Sequence, residues 1–412
     1  MSIREHASAR KFRTKIPGRM DRLPWSRWHW LVVTALGITW VIDGLEVTLI
    51  GAVSTRLQEP ESLGFSGSQL GLLATVYLIG VVLGALVFGD LTDRLGRKKL
   101  FTTTLVLYLA SAFLTAISWN FASFAFFRHL RRFVPESPRW LLAHGEQDEA
   151  ERVLANLDRQ IEQDPAVGSF PEVDHWMTIQ PRGPIGCTEL GSVMLRKYPG
   201  RTVLSLALII SQAFLYNGLF FTFPLVLKDF CKVHPDQTGL YLLPFTLSNF
   251  LGPLILGRFV DTVGRKPMIM ATYAASAVLL GVTGVLFATS LLTPGSQTLL
   301  WVLVFFFASS AASSAYLTVS EIFPLELRGM VIALFFALGT LIGGTLAPWL
   351  FGSLIDSGSR ITLIYGDLFA SLLLLCTVGV VAVFGVKAER TSLEEIALPL
   401  SAALDEPSLV EA

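Results

Sequence analysis

Residues Gly89–Lys99 read GDLTDRLGRKK, a charged loop between two apolar runs that are each long enough to cross a bilayer. Two glycines stand at its turns, Asp93 precedes the second of them by three residues, and the loop ends on Arg97, Lys98 and Lys99. A near-copy, GRFVDTVGRK, occupies Gly257–Lys266, again between long apolar runs. One charged loop occurring twice in an apolar chain indicates internal duplication, the sequence mark of a polytopic membrane protein built from two related halves.

Composition agrees. Of 412 residues, 52% are hydrophobic and 16% charged, whereas soluble domains carry about 25% charged residues. The formal net charge is zero, so the placement of charge carries the information. Cys187, Cys231 and Cys376 lie far apart, which fits neither a disulfide framework nor a metal site. The residues before Trp28 hold eight Arg or Lys against Glu5 and Asp21. The apolar run that follows is too long for a secretory signal and has no small-residue cleavage site. A basic leader of this kind predicts a cytoplasmic N-terminus.

A span needs about 20 apolar residues. By that criterion helices are expected near Trp30–Val53, Gln69–Phe88, Leu100–Ser118, Val203–Leu227, Gly239–Leu256, Met268–Ser290, Leu299–Val319, Met330–Ile355 and Leu363–Gly385. The last six make a complete half. Arg196, Lys197 and Arg201 precede its first helix, Arg265 and Lys266 follow its second, Arg328 its fourth, and Lys387 and Arg390 its sixth, while Ser290–Gln297 carries no charge. That alternation satisfies the positive-inside rule.

The first half is short. A second basic cluster, Arg128, His129, Arg131 and Arg132, follows Lys99 after 28 residues. Both basic clusters belong on the cytoplasmic side, yet 28 residues are too many for one crossing and too few for two.

The pattern Gly-x-x-x-Asp-x-x-Gly-Arg-Lys, met twice, resembles the loop between the second and third helices of each half of major facilitator superfamily transporters. The resemblance extends further. Phe121–Leu130 (FASFAFFRHL) is similar to the start of that family's fourth helix, with Arg128 at the family's Arg, and Arg132–Leu142 (RFVPESPRWLL) to the segment after the sixth helix of sugar porters. Fusing the two leaves out most of helix four, all of five and most of six. The resemblance thus implies an all-α, two-half helical bundle with nine full spans and an incomplete N-terminal half. The expected division is a basic cytoplasmic tail (1–27), a truncated first half (28–134), a cytoplasmic central loop (135–200), a complete six-helix second half (201–386) and a cytoplasmic tail (387–412). Within the central loop, Ala150, Val153, Leu154, Leu157 and Ile161 recur at helical spacing, with acids near the start, so Gly145–Gln163 is expected as an amphipathic helix and the rest as linker. TSLEEI (Thr391–Ile396) partly matches a sugar-porter ending.

Asp43 and Glu46 lie within the first span, three residues apart and on one helical face. An acid at a helix centre costs about 2.5–3.5 kcal/mol on insertion scales, so such residues face a cavity or a partner. A carboxyl group there can take a proton at one membrane face and release it at the other. The alternative is that one of them pairs with Arg128 or a hydroxyl and only holds helices together. Asp43-Gly44-Leu45-Glu46 resembles the Asp-Gly-x-Asp of aromatic-acid/proton symporters of the superfamily, with Glu at the second acid. In the second half, Gln212, Tyr216 and Asn217 (SQAFLYNG) place amides and a phenol inside a span, where they need partners. Sugar porters carry Gln and Asn on this helix to contact substrate; interhelical bonding is the other use of such groups. Phe220, Phe221, Phe223 and Phe305–Phe307 are given no role beyond packing or lipid contact.

The loops suggest a gate. Gly89, Gly96, Gly257 and Gly264 permit close approach and tight turns. Asp93 and Asp261 can cap the following helix, and Arg97 and Arg265 can bridge to acids on neighbouring helices, with Arg94 a further charge within the first copy. The resemblance supplies partners: Glu321 and Arg328 in SEIFPLELRG, and Glu136, Ser137 and Arg139 in PESPRW. Topology alone is the other reading of exposed loop charges.

The six histidines have no metal-ligand spacing and there is no phosphate-binding loop. No enzyme activity, cofactor, metal or nucleic-acid partner is therefore expected. The sequence predicts a proton-coupled symporter for a small organic solute (sugar, polyol or organic acid) in the plasma or inner membrane, both termini cytoplasmic. The competing reading is a transport-inactive, internally deleted derivative that serves as an interaction partner.

Overall fold

The computed structural model describes residues 12–24, 26–31, 33–34, 78–84, 147–162, 177–179, 187–386, 396–397 and 400. Asp43, Glu46, the loop Gly89–Lys99 with Asp93, Arg94, Gly96 and Arg97, and Glu136, Ser137 and Arg139 lie outside the described residues. Helical stretches at 27–31, 33–34 and 78–84 fall at the start of the first expected span and inside the second.

The second half is described in full. After two shorter helices nearer the N-terminus, α3 (Cys187–Ser192) and a π-turn (Val193–Lys197) lead into α4 (Pro199–Cys231), α5 (Pro235–Thr262), α6 (Arg265–Ala288) and α7 (Pro294–Glu321). A 3-10 turn (Leu325–Leu327) leads to α8 (Arg328–Gly339), a second π-turn (Thr340–Gly344), α9 (Thr345–Asp356) and α10 (Arg360–Phe384). These make six segments long and apolar enough to cross a membrane, α8, its π-turn and α9 counting as one. All six expected spans of this half are present. Most run a turn or so past the apolar run at one or both ends, because local chemistry sets the ends. Pro199 and Pro294 enter the first turns of α4 and α7, where a missing N–H costs nothing. Thr293 and Ser296 form a capping box at the start of α7, the Ser296 N–H donating to Thr293 Oγ1 at 3.2 Å and the Thr293 N–H to Ser296 Oγ at 2.9 Å. Lys232 stops α4 in the left-handed conformation at φ 56°.

Packing is organised by α4 and α6. Helix α6 lies between α7 and α10, α5 packs on α7, and α4 contacts α7, α8, the π-turn, α9 and α10. Between α4, α5 and α7 the core is aromatic: Phe223 meets Phe245 edge-on with ring centres 4.7 Å apart and lies 4.7 Å from Trp301, and Phe305 contacts Phe245 at 5.3 Å. The π-turn shares the contact of the fifth span with α4, flanked by α8 and α9. A β-carbon on Gly343 would collide with the Ile210 carbonyl oxygen and stand 3.0 Å from the Phe214 nitrogen. Only glycine lets the two backbones approach so closely. Single π-turns inside α-helices recur at functional positions.

Outside the spans, α1 (Ile16–Asp21) packs on α2 (Gln147–Glu162). Helix α2 matches the expected amphipathic segment and buries Leu154 and Ile161 completely. Two three-residue strands, β1 (Phe12–Thr14) and β2 (Met177–Ile179), pair antiparallel with Phe12 opposite Ile179. The expected tail and linker are therefore tied together, and the all-α architecture carries one small ladder. Arg19 is ion-paired with Glu151 and donates to Asp158 Oδ2 at 2.6 Å; Arg22 lies 3.9 Å from the same oxygen.

Candidate functional site

Three sequence-selected polar residues, Gln212, Tyr216 and Asn217, lie near the middle of α4. Gln212 is 4% exposed; its Nε2 donates to the Ala308 carbonyl of α7 at 3.4 Å, and its Oε1 is buried with no hydrogen-bond partner among the described residues. Tyr216, one turn on, donates its hydroxyl to Asn249 Oδ1 of α5 at 2.8 Å. Its ring stacks on Phe220 with centres 5.9 Å apart and meets Phe305 edge-on at 5.1 Å. Gln212 and Tyr216 thus point together toward α5 and α7, as i, i+4 neighbours do. Asn217 is turned about 100° away. Its Nδ2 donates to the Ala213 carbonyl of its own helix at 2.8 Å, and the same atom would be 3.1 Å from a β-carbon on Gly344 in the π-turn. The structure therefore assembles Gln212 and Tyr216 and places Asn217 on the side that faces the broken fifth span.

Sequence reasoning missed Asn249. The signal was available: LPFTLSNFLGP (Leu243–Pro253) is an apolar run with an amide at its centre, and an amide within a span needs a partner. It also gave no role to Phe220 and Phe305, which wall the Tyr216 ring on two sides. Helix α5 comes close to α7 at this level because Gly252 leaves room for the Phe306 carbonyl and the Ser309 hydroxyl.

The second loop copy spans the end of α5 and the start of α6. Gly257 is on α5 with open space beside it, and Asp261, whose side chain lies outside the described residues, is in the last turn of α5. The position capping α6 is Gly264, at φ 110°, a conformation that L-residues with a β-carbon avoid. Arg265 follows as the first residue of α6 and forms an ion pair with Glu321, the last residue of α7. The side chains are only 9% and 17% exposed. Arg328, the first residue of α8, donates through Nε to the Phe323 carbonyl at 3.1 Å and through Nη2 to the Glu321 carbonyl at 3.5 Å. Arg201 at the start of α4 donates to the Ile322 carbonyl and, at 2.9 Å, to that of Ile396. Glu326 accepts from the Leu400 N–H at 3.0 Å. Residues 321–328 are thereby held from α4, α6, α8 and the C-terminal segment at once. No group of His, Cys, Asp and Glu suited to a metal occurs among the described residues.

Six apolar spans, a duplicated charged loop and polar side chains inside the bundle describe a solute-translocating scaffold. Sequence comparison decides the family, since the profile of the sugar (and other) transporters matches residues 118–398.

The chain belongs to the sugar (and other) transporter family.

The broader profile of the major facilitator superfamily matches residues 31–133 of this transporter. It is an integral membrane protein of the secondary-transporter class and not an enzyme. Among its relatives, the niacin transporter NiaP of Acinetobacter baylyi is 32% identical over 108 residues, 25% of this chain and 24% of that one. A Bacillus subtilis protein, also called NiaP and named for niacin/nicotinamide transport, is 24% identical over 401 residues, covering 87% of this chain and 96% of its own. The 4-hydroxybenzoate transporter PcaK of Acinetobacter baylyi is 31% identical over 107 residues, 26% of this chain and 23% of that one.

Proposed function

We propose that this transporter carries a small organic acid with a proton by alternating access. Asp43 and Glu46 take and release the proton. Gln212 and Tyr216, backed by Asn249, contact the solute in the second half, with Asn217 beside the π-turn. Arg265, Glu321 and Arg328 close the cytoplasmic side, and both termini lie in the cytoplasm. The observation that carries the reading is Gln212, a buried amide whose carbonyl oxygen has no partner among the described residues. Leaving such a group unsatisfied costs about 1–3 kcal/mol, a cost that a solute hydroxyl or a protonated carboxyl would remove by donating to it. Between the sugar, polyol and acid alternatives, the acid pair on the first helix supports the acid. So do the relatives named for niacin and 4-hydroxybenzoate, both aromatic carboxylic acids.

The shortened first half belongs to the same reading. The superfamily profile matches residues 31–133 and the transporter profile residues 118–398, an overlap that supports a junction near Leu130 and Arg131. The alignment of 401 residues with the Bacillus protein engages 87% of this chain, so some of that protein's positions have no counterpart here.

The test is uptake of labelled aromatic carboxylates, sugars and polyols into proteoliposomes with an imposed pH gradient. Acid uptake driven by an inward proton gradient, abolished in an Asp43→Asn, Glu46→Gln double variant, is the expected result. Uptake unchanged in that variant would remove the proton role, and uptake of sugars alone would reassign the solute.

A further inference from the structure

One acidic side chain of the second half has no place in that mechanism. Asp367 lies in α10, and residues 361–384 contain no other Asp, Glu, Lys, Arg or His. It is 4% exposed and faces the seam between α10 and α6. A β-carbon built on Gly284 of α6 would stand 2.9 Å from Asp367 Cβ and 3.0 Å from Oδ2, so the α6 backbone closes directly over the carboxyl group. One turn along, Ser371 Oγ donates across the same seam to the Ala277 carbonyl at 2.7 Å, and Gly281 leaves room for that hydroxyl. Asp367 Oδ1 is buried without a hydrogen-bond partner, and no ion pair involves Asp367 among the described residues.

The charged residues on the elements packed against this seam stand at their ends. They are Arg265 and Lys266 on α6, Arg201, Lys228 and Asp229 on α4, Asp356 on α9, and Arg360 on α10 itself. Arg360 is engaged with the Phe230 carbonyl at 2.6 Å. Of the other titratable groups, Tyr273 on α6 donates to the Leu208 carbonyl at 3.0 Å and Tyr216 on α4 to Asn249. Tyr365 and Cys376 on α10 are exposed.

A carboxylate taken out of water is relieved by a cation or by a proton. No cationic side chain among the described residues is bonded to Asp367, and an intramembrane acid is costly enough to need a use. We propose that Asp367 is a proton-binding site of the second half, carrying its proton while the α6–α10 seam is closed and exchanging it when the seam opens to water. The site is separate from Asp43 and Glu46 and does not depend on what solute is carried.

The experiment is labelling of the purified full-length chain in lipid vesicles with N,N′-dicyclohexylcarbodiimide, followed by mass spectrometry of the peptide containing Asp367. The reagent reports a protonated carboxyl. The acid O–H adds across a C=N bond, its proton passes to nitrogen, and the O-acylisourea rearranges to a stable N-acylurea with nothing leaving. The expected result is label at Asp367 that decreases as the pH of a series is raised, with complete loss in Asp367→Asn. The site is read directly in the unaltered chain, so a variant that fails to fold leaves the result interpretable. No label at Asp367 at any pH in folded protein overturns the proposal. Label that sodium suppresses at constant pH overturns it too, in favour of a bound cation. Neither outcome bears on proton-driven uptake through Asp43 and Glu46.

Discussion

The guanidinium of Arg265, which opens α6, is ion-paired with the carboxylate of Glu321, which ends α7, across 56 residues of chain. Arg328 takes hold of the same short segment through the carbonyls of Phe323 and Glu321. The loop copy at Gly257–Lys266 is therefore a structural joint between two helix ends as well as a run of topology-setting charge.

Breaking that joint on one side leaves a largely desolvated charge behind. Arg265→Leu is expected to destabilise the folded protein by about 3 kcal/mol. Replacing both partners, Arg265→Met with Glu321→Leu, should recover most of the loss, since no charge then remains to be desolvated. Denaturant titration in detergent, followed by tryptophan fluorescence, reads both variants. Equal losses in the single and double changes would show that the pair is not coupled.

The π-turn gives a second comparison. Gly343→Ala forces a methyl group into the Ile210 carbonyl and the Phe214 nitrogen of α4, and overpacking of that kind costs about 1–3 kcal/mol. Gly379→Ala, in α10 with open space around it, should be neutral or stabilising by up to about 1 kcal/mol, the usual helix preference for alanine. Thermal unfolding of the two single variants tests the contrast.

Gln212 separates folding from function. Its hydrogen bond to the Ala308 carbonyl is long, 3.4 Å, and its oxygen is unpartnered among the described residues. Gln212→Leu should then change stability by less than about 1 kcal/mol while abolishing or strongly weakening solute uptake. Tyr216→Phe should behave differently, because it strands Asn249 Oδ1 and costs about 1 kcal/mol as well. Parallel unfolding and uptake measurements decide.

The clasp between the N-terminal segment and α2 is also open to test. Arg19→Ala removes the partner of both Glu151 and Asp158, leaving Asp158 only the weaker contact from Arg22 at 3.9 Å. These are partly exposed pairs, worth about 1 kcal/mol at most. The expected outcome is faster limited proteolysis within α2, once it is released from α1, with no change in the unfolding transition of the six-helix half.

Much of this molecule is legible from residue order. A span is recognised by the length and polarity of one stretch of chain, and the positions of α4 to α10 follow from that alone, with ends corrected by Pro199, Thr293 and Gly264. The pairing of Arg265 with Glu321 was legible through the family resemblance, which sets the loop's Arg against an acid such as the one in SEIFP (Ser320–Pro324). The contact from Asn249 to Tyr216 was not, since one amide in an apolar run says that a partner is needed without saying which helix provides it.

Sequence by itself determined that this is a two-half membrane protein of a transporter family, that its second half has six spans, and that its charged loops repeat. Those properties depend on local hydrophobicity and on motifs read along the chain. Only the tertiary structure decided that Gln212 and Tyr216 face α5 and α7 while Asn217 faces the broken fifth span, that the N-terminal tail pairs with the central loop, and that Asp367 is shut beneath Gly284. Those depend on the rotation and closest approach of neighbouring helices, which small residues such as Gly252, Gly284 and Gly343 set through space rather than along the chain.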